Sequence, residues 1–384
     1  MSVASTLNLA QSFSEMKKLT PQIYCLGLAI AAISCSVFAK DEKKPLPANH
    51  QRLDYYLDAS GNEHAVKTKA DWEIRRGQIL QGFQEATGKL PSREQLPELD
   101  IRIKAEDQRK KHVRQTIDFV SEKGDRTPCY LYIPKGIKPG EKRPAIVALH
   151  PTHNIGKDVV DGLSQRPNRA YAKELADRGY IVIAPDYLSF GEYADYDFAK
   201  DRYSSGTMKA IWNHMRCVDL LQARPDVDGD KIGAIGHSLG GHNAIFLGVM
   251  DPRVKVIVTS CGWTPFHDYM GGKIKGWTSD RYMPSLRDTY DLDASKVPFD
   301  FYELNAALAP RAFFSNSPLH DSNFDYRGIE KAAPKIRRIY NLYDASDNMR
   351  IAFPDAQHDF PTEVREESYR FLDRFLKTDS NSNK

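Results

Sequence analysis

The residues with the clearest chemical potential are a serine and the two glycines that flank it. Ser238 lies in the segment Gly236-His-Ser-Leu-Gly240, which follows the apolar run 232–235 and precedes a helix-forming run that starts at Asn243. A strand, a turn with room only for glycine and then a helix would expose the serine hydroxyl at the corner. The new helix would aim free N–H groups and partial positive charge at the same point. This segment, the elbow (residues 236–240), predicts that Ser238 is a catalytic nucleophile.

A serine hydroxyl is a weak nucleophile, so it needs a base within hydrogen-bond distance and an acid that orients the base. In a strand–turn–helix arrangement of this kind, the partners follow in the order serine, acid, histidine. Of the four histidines after the elbow, only one follows a late predicted strand and precedes the last predicted helix. The four are His242, His267, His320 and His358. Position in the chain therefore predicts His358 as the base.

The orienting acid is expected in the loop after the predicted strand 312–315. Two aspartates in that loop qualify, Asp321 and Asp325. We favour Asp321 because it comes earlier in the loop and because Asp325 is typical of an N-cap for the next helix. Asp325 remains the alternative.

An oxyanion hole needs two N–H groups aimed at the developing charge. One is expected from the backbone of Leu239, directly after the nucleophile. The other is expected from the loop 150–156, which follows the fully apolar predicted strand 144–149. Pro151 has no N–H, so Thr152 is the predicted second donor.

Three further residues are candidates for a supporting role: His150, His237 and Asp186. Asp186 follows another predicted strand, and it could either tune the site or brace neighbouring loops. No spacing of cysteines and histidines is typical of a metal site, and we predict no metal and no cofactor. The five cysteines are Cys25, Cys35, Cys129, Cys217 and Cys261.

Strands and helices are predicted to alternate from about residue 114 onward. Alternation of this kind predicts an α/β fold, a mostly parallel central sheet with helices on both faces. The predicted strands span 114–120, 127–133, 144–149, 180–184, 232–235, 254–260, 312–315 and 349–353, and the helices 170–178, 208–223, one from 243, 328–343 and 362–377.

Two segments depart from this alternation. Residues 40–113 predict an N-terminal extension with a polar lead-in, one helix over 71–87 and an irregular charged stretch over 92–112. Residues 262–306 predict a cap insertion at the carboxyl edge of the sheet, and its rings either line the substrate pocket or only pack the insertion onto the core. Nine aromatic residues fall within residues 262–302: Trp263, Phe266, Tyr269, Trp277, Tyr282, Tyr290, Phe299, Phe301 and Tyr302. The main α/β domain is predicted over 114–378, followed by a disordered tail over 379–384.

Charge and the N-terminal pattern limit the partners and the compartment. The 384 residues carry 54 basic and 51 acidic side chains, a net charge of +3, so nothing suggests nucleic acid as a partner. Residues 1–39 predict a secretory signal peptide, with lysines before a short apolar run that ends in Ala39, and the true start could be Met16. The predicted location is periplasmic or secreted, without a membrane span after signal removal. Lipoprotein processing at Cys35 is a minor alternative.

Four segments resemble the α/β-hydrolase superfamily: residues 226–241, His150-Pro-Thr, Ala309-Pro-Arg and His358-Asp-Phe-Pro. Within it, the chain is similar to the dienelactone-hydrolase, acetylxylan-esterase and prolyl-oligopeptidase-like branch over about residues 115–378. The resemblance implies Ser238 as nucleophile, Asp321 as acid, His358 as base and an oxyanion hole from Thr152 and Leu239. Dienelactone hydrolases proper use a cysteine nucleophile, so a serine favours an esterase.

Three functions are therefore weighed. The first is an exported serine carboxylesterase that acts on a small-molecule or carbohydrate ester. The second is a serine peptidase of the prolyl-oligopeptidase-like type, although residues 40–113 are too short for a propeller. The third is a non-catalytic binding protein on the same fold, which the complete serine, acid and histidine set disfavours. The oligomeric state is not predicted.

Overall fold

The computed structural model describes residues 45–377, which form a nine-stranded sheet, a separate two-stranded hairpin and helices on both faces of the large sheet. The predicted signal peptide, Cys25, Cys35 and the predicted tail lie outside the described residues. Within residues 45–377, none of the helices is both long enough and apolar enough to cross a bilayer.

Strands and helices are numbered separately, each in chain order. The strands are β1 (Tyr55–Leu57), β2 (Glu63–Ala65), β3 (Arg102–Gln108), β4 (His112–Glu122), β5 (Asp125–Pro134), β6 (Arg143–Leu149), β7 (Ile181–Pro185), β8 (Val227–His237), β9 (Val254–Ser260), β10 (Ala312–Asn316) and β11 (Met349–Ala352). The helices are α1 (Lys69–Thr87), α2 (Tyr171–Asp177), α3 (Gly206–Ala223), α4 (Leu239–Met250), α5 (Ser285–Asp288), α6 (Phe301–Ala306), α7 (Tyr326–Asn341) and α8 (Thr362–Leu376).

The nine strands lie in the order β11-β10-β9-β8-β6-β7-β5-β4-β3. The six strands from β11 to β7 run parallel to one another, and β5, β4 and β3 add an antiparallel edge. The predicted fold class, a mostly parallel sheet flanked by helices, is confirmed. The carboxyl ends of β6, β8, β9 and β10 share one edge of this sheet, so the loops that follow them are neighbours.

Both faces of the parallel part are covered, which explains why its strands are apolar throughout. Along β6, Val147 belongs to the cluster that includes Ile211 of α3, whereas Ile146 belongs to the cluster that includes Leu372 of α8. Successive side chains of a strand point to opposite faces, so a run such as β6 must be apolar at every position.

The N-terminal extension holds more strand than predicted. Residues 92–112 were expected to be irregular, but β3 pairs with β4 and forms the edge of the main sheet. Six of the seven residues of β3 are exposed and the seventh is half-buried. A strand exposed on both faces needs no apolar alternation, so periodicity could not reveal it. The lead-in also contains the short antiparallel hairpin of β1 and β2.

The predicted helix of the extension, α1, packs against residues 262–306, the aromatic insertion. Phe83 of α1 is fully buried, and its ring lies 5.1 Å from those of Phe246 and Phe299. A buried ion pair joins Arg75 of α1 to Glu303 of α6. The extension therefore shares one core with the insertion and with α4.

Candidate active site

The elbow places Ser238 between the end of β8 and the first residue of α4. Its backbone has φ 54° and ψ −116°, a strained conformation for a non-glycine residue. A Cβ on Gly236 would overlap the Gly240 carbonyl, and a Cβ on Gly240 would overlap the Leu149 carbonyl. The glycines are therefore required by close backbone packing, and they let the half-buried Ser238 sit at the corner.

His358 and Asp321 form a hydrogen-bonded pair. Nδ1 of His358 lies 3.0 Å from Oδ1 and 2.9 Å from Oδ2 of Asp321. The aspartate side chain is fully buried, and the imidazole retains 21% exposure. Oδ1 also accepts the backbone N–H groups of Asn323 (2.8 Å) and Phe324 (3.1 Å), which fixes the carboxylate. The pair has the geometry of a base and its orienting acid.

Backbone hydrogen bonds bring together the acid loop (residues 317–325, between β10 and α7) and the histidine loop (residues 353–361, between β11 and α8). Ser317 N donates to Ala352 O (2.8 Å), Leu319 N to Pro354 O (3.0 Å) and His320 N to Ala356 O (3.0 Å). These bonds continue the β10–β11 pairing beyond the strands. The two loops are therefore held in register, although 37 residues separate Asp321 from His358.

Arg169 anchors the histidine loop from another part of the chain. Its guanidinium donates to the carbonyl oxygen of His358 (3.1 Å) and pairs with the Asp359 carboxylate (2.5 Å). Asn168 donates to the other oxygen of that carboxylate (2.7 Å). Arg169 is buried, so this anchor is shielded from solvent. Sequence reasoning missed it, because no local pattern links residues 190 positions apart.

His237, a predicted supporting residue, is part of the elbow and contacts His358, the predicted base. Its Nδ1 is 2.9 Å from Ser260 Oγ, and its ring centroid is 4.9 Å from that of His358. Burial and the positive charge of Arg169 hold the pKa of His237 well below its ordinary value, so the ring is neutral. The contact also shows that the histidine loop lies beside the elbow.

The predicted oxyanion loop follows β6 and is tied down by His150. Nδ1 of His150 donates to the Pro151 carbonyl (2.7 Å), and Nε2 accepts the backbone N–H of Tyr187 (2.8 Å). Burial lowers the pKa of His150, in keeping with this neutral tautomer. Thr152 is exposed at the loop tip, and its Oγ1 lies 3.4 Å from the hydroxyl of Tyr282.

Asp186 braces the same loop from below. Its carboxylate accepts hydrogen bonds from the backbone N–H of Lys157 (2.7 Å), from the ammonium group of Lys157 (2.6 Å) and from the backbone N–H of Glu192 (3.0 Å). Burial alone would lower the pKa of Lys157, but the Asp186 and Glu192 carboxylates outweigh it and raise that pKa. Of the two roles considered for Asp186, these contacts fit the bracing of loops.

An arc of rings connects the histidine loop with the oxyanion loop. Phe324 stacks on His358 with 6.0 Å between centroids, and Trp277 lies 6.2 Å from Phe324. Trp277 in turn lies 6.5 Å from Tyr282, which contacts Thr152. Trp277 and Tyr282 belong to the aromatic insertion, so this segment borders the candidate site as well as packing onto the core.

Cys261 is a second residue that sequence reasoning missed. It follows β9 with φ 48°, and its Sγ lies 3.2 Å from the Asp359 carbonyl oxygen. Burial and the neighbouring Asp321 carboxylate raise the pKa of Cys261 well above its ordinary value, so the thiol stays protonated. Its sulfur, the Asp321 carboxylate and a ring nitrogen of His358 all lie within 4.8 Å of one another. A thiol that stays protonated beside the Asp321 carboxylate is poorly suited to be the nucleophile.

Comparison with known proteins identifies the family. A family model described as "Alpha/beta hydrolase family" matches residues 162–371. A putative hydrolase, YtaP of Bacillus subtilis, is 27% identical over 304 residues, which cover 75% of this chain and 96% of the relative. The 4-O-methyl-glucuronoyl methylesterase 1 of Wolfiporia cocos is 24% identical over 358 residues, covering 85% and 81%. Among solved structures, a putative acetyl xylan esterase from Bacteroides fragilis superimposes with a TM-score of 0.60 at 18% identity, covering 87% and 88%, which establishes a shared fold.

Proposed function

The chain belongs to the alpha/beta hydrolase family, and we propose that it is an exported serine carboxylesterase whose nucleophile, acid and base are Ser238, Asp321 and His358. The family membership agrees with the resemblance seen in the sequence. The observation that carries the proposal is the His358–Asp321 hydrogen bond, formed beside a serine in a strained strand-to-helix turn. The 4.9 Å ring contact between His237 and His358 puts the base next to the residue that precedes the nucleophile.

The geometry supports acyl transfer in two steps. Asp321 holds Nδ1–H of His358, which leaves Nε2 to accept the proton of Ser238 as its Oγ attacks the ester carbonyl carbon. The backbone N–H groups of Leu239 and Thr152 stabilise the oxyanion. His358 then passes the proton to the departing alcohol and an acyl-enzyme remains. In the second step His358 takes a proton from water as the water oxygen attacks the acyl carbon. His358 then returns that proton to Oγ of Ser238 as the bond between Oγ and the acyl carbon breaks, which releases the acid product and restores the serine hydroxyl.

For the substrate, we extend the proposal to acylated carbohydrates. One relative in sequence is named for the methyl ester of a glucuronic acid, and a structural neighbour is named as an acetyl xylan esterase. The predicted signal peptide over residues 1–39 fits an enzyme that meets such esters outside the cytoplasm.

Covalent labelling tests the nucleophile. A fluorophosphonate probe should label the wild-type protein and the exposed-serine control Ser60→Ala, and it should leave Ser238→Ala unlabelled. Cys261→Ala should still be labelled, since the thiol is not the attacking group. Absence of label on folded wild-type protein would favour the non-catalytic binding protein instead.

A substrate panel separates esterase from peptidase. Nitrophenyl esters should be hydrolysed with a higher kcat/KM than aminoacyl nitroanilides, and both rates should depend on Ser238. Faster cleavage of the anilides would replace the esterase with the prolyl-oligopeptidase-like peptidase.

A further inference from the structure

His242 carries two ring nitrogens that have no hydrogen-bond partner among the described residues. The residue is 6% exposed and lies one turn beyond the nucleophile on α4, where its backbone N–H donates to the Ser238 carbonyl (3.1 Å). Buried polar side chains nearly always find a partner, because an unpaired one has lost its water without compensation. Two unpaired nitrogens on one buried ring beside a nucleophile indicate that something outside the protein completes them.

A third unpaired nitrogen lies next to this ring. Trp277 is 3% exposed and its Nε1 has no partner among the described residues, and its ring centroid is 4.7 Å from that of His242. The two side chains come from different parts of the chain, α4 and the aromatic insertion. Together they form one cluster with three ring nitrogens that have no hydrogen-bond partner among the described residues.

The cluster belongs to the arc of rings between the base and the oxyanion loop. Trp277 touches Phe324, which stacks on His358, and both Trp277 and His242 lie within 6.5 Å of Tyr282, which contacts Thr152. A substrate that spans Ser238, His358 and Thr152 would have to lie against this arc.

The donor and acceptor pattern of the cluster selects the group that it can bind. Burial is the only influence on the pKa of His242 and lowers it to about 3, so the imidazole is neutral and offers one donor and one acceptor. Trp277 adds one donor. A carboxylate would need a cation here and an alkyl group would leave all three nitrogens unpaired, whereas a hydroxyl both donates and accepts.

We propose that His242 and Trp277 form a subsite that binds a ring hydroxyl of the ester substrate close to the reacting carbonyl. The proposal rests on the proposed function and sharpens it, because it selects esters with a hydroxylated ring over esters of plain alkyl or alicyclic groups. Such a ring occurs in two parts of a carbohydrate ester, the acyl group of a uronic acid ester and the alcohol of an acetylated sugar.

Matched substrates test the subsite in two arms. In the acyl arm, kcat/KM for methyl glucuronate is divided by kcat/KM for methyl cyclohexanecarboxylate. In the alcohol arm, monoacetylated xylose is compared with cyclohexyl acetate. In the wild type, the ratio should favour the hydroxylated ester in at least one arm. The arm that responds shows whether the subsite binds the ring of the acyl group or the ring of the alcohol.

Two substitutions remove the unpaired nitrogens and keep an aromatic ring, Trp277→Phe and His242→Phe. Each should lower the selectivity ratio of the responsive arm about tenfold, the value of one hydrogen bond. His242→Gln, which keeps a donor and an acceptor, should restore part of the ratio. His242→Phe should keep or raise the melting temperature, since a buried unpaired group is lost. Trp277→Phe is judged on the selectivity ratio, because the smaller ring leaves a cavity that lowers stability by itself.

The control is His214→Phe. His214 is also buried with an unpaired Nδ1, but it lies on α3 beside Tyr187 and outside the arc. Its substitution should leave both selectivity ratios as in the wild type.

Two results would overturn the subsite. One is selectivity ratios that do not change in Trp277→Phe and His242→Phe. The other is a lower melting temperature of His242→Phe with a parallel fall in kcat/KM for both esters of each pair, as expected if ordered water satisfies these nitrogens. Failure of the proposed function looks different, because Ser238→Ala would then hydrolyse these esters as fast as the wild type.

Discussion

At the scale of single residues, the two candidate aspartates have different hydrogen-bond partners. Asp321 accepts Nδ1 of His358, whereas Asp325 caps α7 by accepting the backbone N–H of Arg327 (2.9 Å). The cap is the role that its position suggested in the sequence, and the carboxylate also pairs with the Arg327 side chain.

The first prediction compares these two aspartates. Asp321→Asn should lower kcat by about 10⁴-fold, because an amide cannot hold the imidazole in the required tautomer. Asp325→Asn should keep kcat within about twofold, because asparagine is an equally good N-cap. Ester hydrolysis by both variants, with circular dichroism to confirm folding, is the measurement. Loss of activity only in Asp325→Asn would reverse the assignment.

Candidate catalytic residues can be predicted from the sequence only where their type has a fixed place in a pattern of strands and helices. Ser238 is found from its glycines, and His358 from its place between the last strand and the last helix. Arg169, Cys261, His242 and Trp277 are ordinary residues in their local sequence, and only tertiary contacts bring them to the site.

At the scale of elements, the loops that follow several strands must be fixed relative to one another at the candidate site. The histidine loop depends on Arg169, which reaches it from the turn before α2. The oxyanion loop depends on the buried Lys157–Asp186 pair.

The second prediction concerns the Arg169 anchor. Arg169→Met should lower kcat about tenfold, because His358 loses the bond to its carbonyl and shifts relative to Ser238. It should also cost about 1–3 kcal/mol of unfolding free energy through the lost charge-assisted bonds. Arg166→Met, at an exposed arginine three residues earlier, should change neither. Wild-type kcat in Arg169→Met would show that the anchor does not position the base.

The third prediction concerns the N-cap of α6. Burial, with the neighbouring Glu303 charge, raises the pKa of Asp300 to about 7, although the Phe266 and Phe301 backbone N–H groups oppose the shift. Between the unfolded value of 3.8 and about 7 the folded state binds the extra proton, so stability falls as pH rises through this window. Asp300→Asn keeps the cap without the ionisation. The variant should therefore gain on the order of 2 kcal/mol relative to wild type between pH 5 and pH 8.

Denaturant unfolding at several pH values measures this difference. A stability difference between variant and wild type that stays constant from pH 5 to pH 8, or that shrinks as pH rises, would contradict the raised pKa.

At the scale of the whole molecule, the extension and the predicted 114–378 domain share one core. Trp72 and Phe83 of α1 are fully buried, and Arg75 pairs with Glu303 of the insertion. β3 completes the main sheet.

The fourth prediction follows from this shared core. A chain that starts at residue 114 should aggregate or melt well below the full protein, because Phe246 and Phe299 lose their cover and Glu303 loses its buried cation. A chain that starts at Pro45 should melt like the full chain. A chain from residue 114 with the melting temperature of the full chain would show that the domain boundary drawn from the sequence is correct.

Most of the architecture could be predicted, for physical reasons. The parallel strands are buried on both faces and their helices are amphipathic, so apolar runs and helical periodicity locate them. β3 and β2 were missed because exposed strands carry no apolar signal, and β1 was missed because it spans only three residues. The contact of α1 with the insertion joins segments about 200 residues apart, and it depends on tertiary contacts that leave no local pattern in the sequence.

The central claim is that Ser238, Asp321 and His358 converge on one ester carbonyl. A crystal structure of the protein after reaction with a phosphonate ester tests it most directly. The account predicts phosphorus bonded to Oγ of Ser238, a phosphonyl oxygen within hydrogen-bond distance of the Leu239 and Thr152 N–H groups, and Nε2 of His358 beside the serine oxygen. An adduct on another residue, or an adduct on Ser238 with the His358 imidazole turned away, would contradict it.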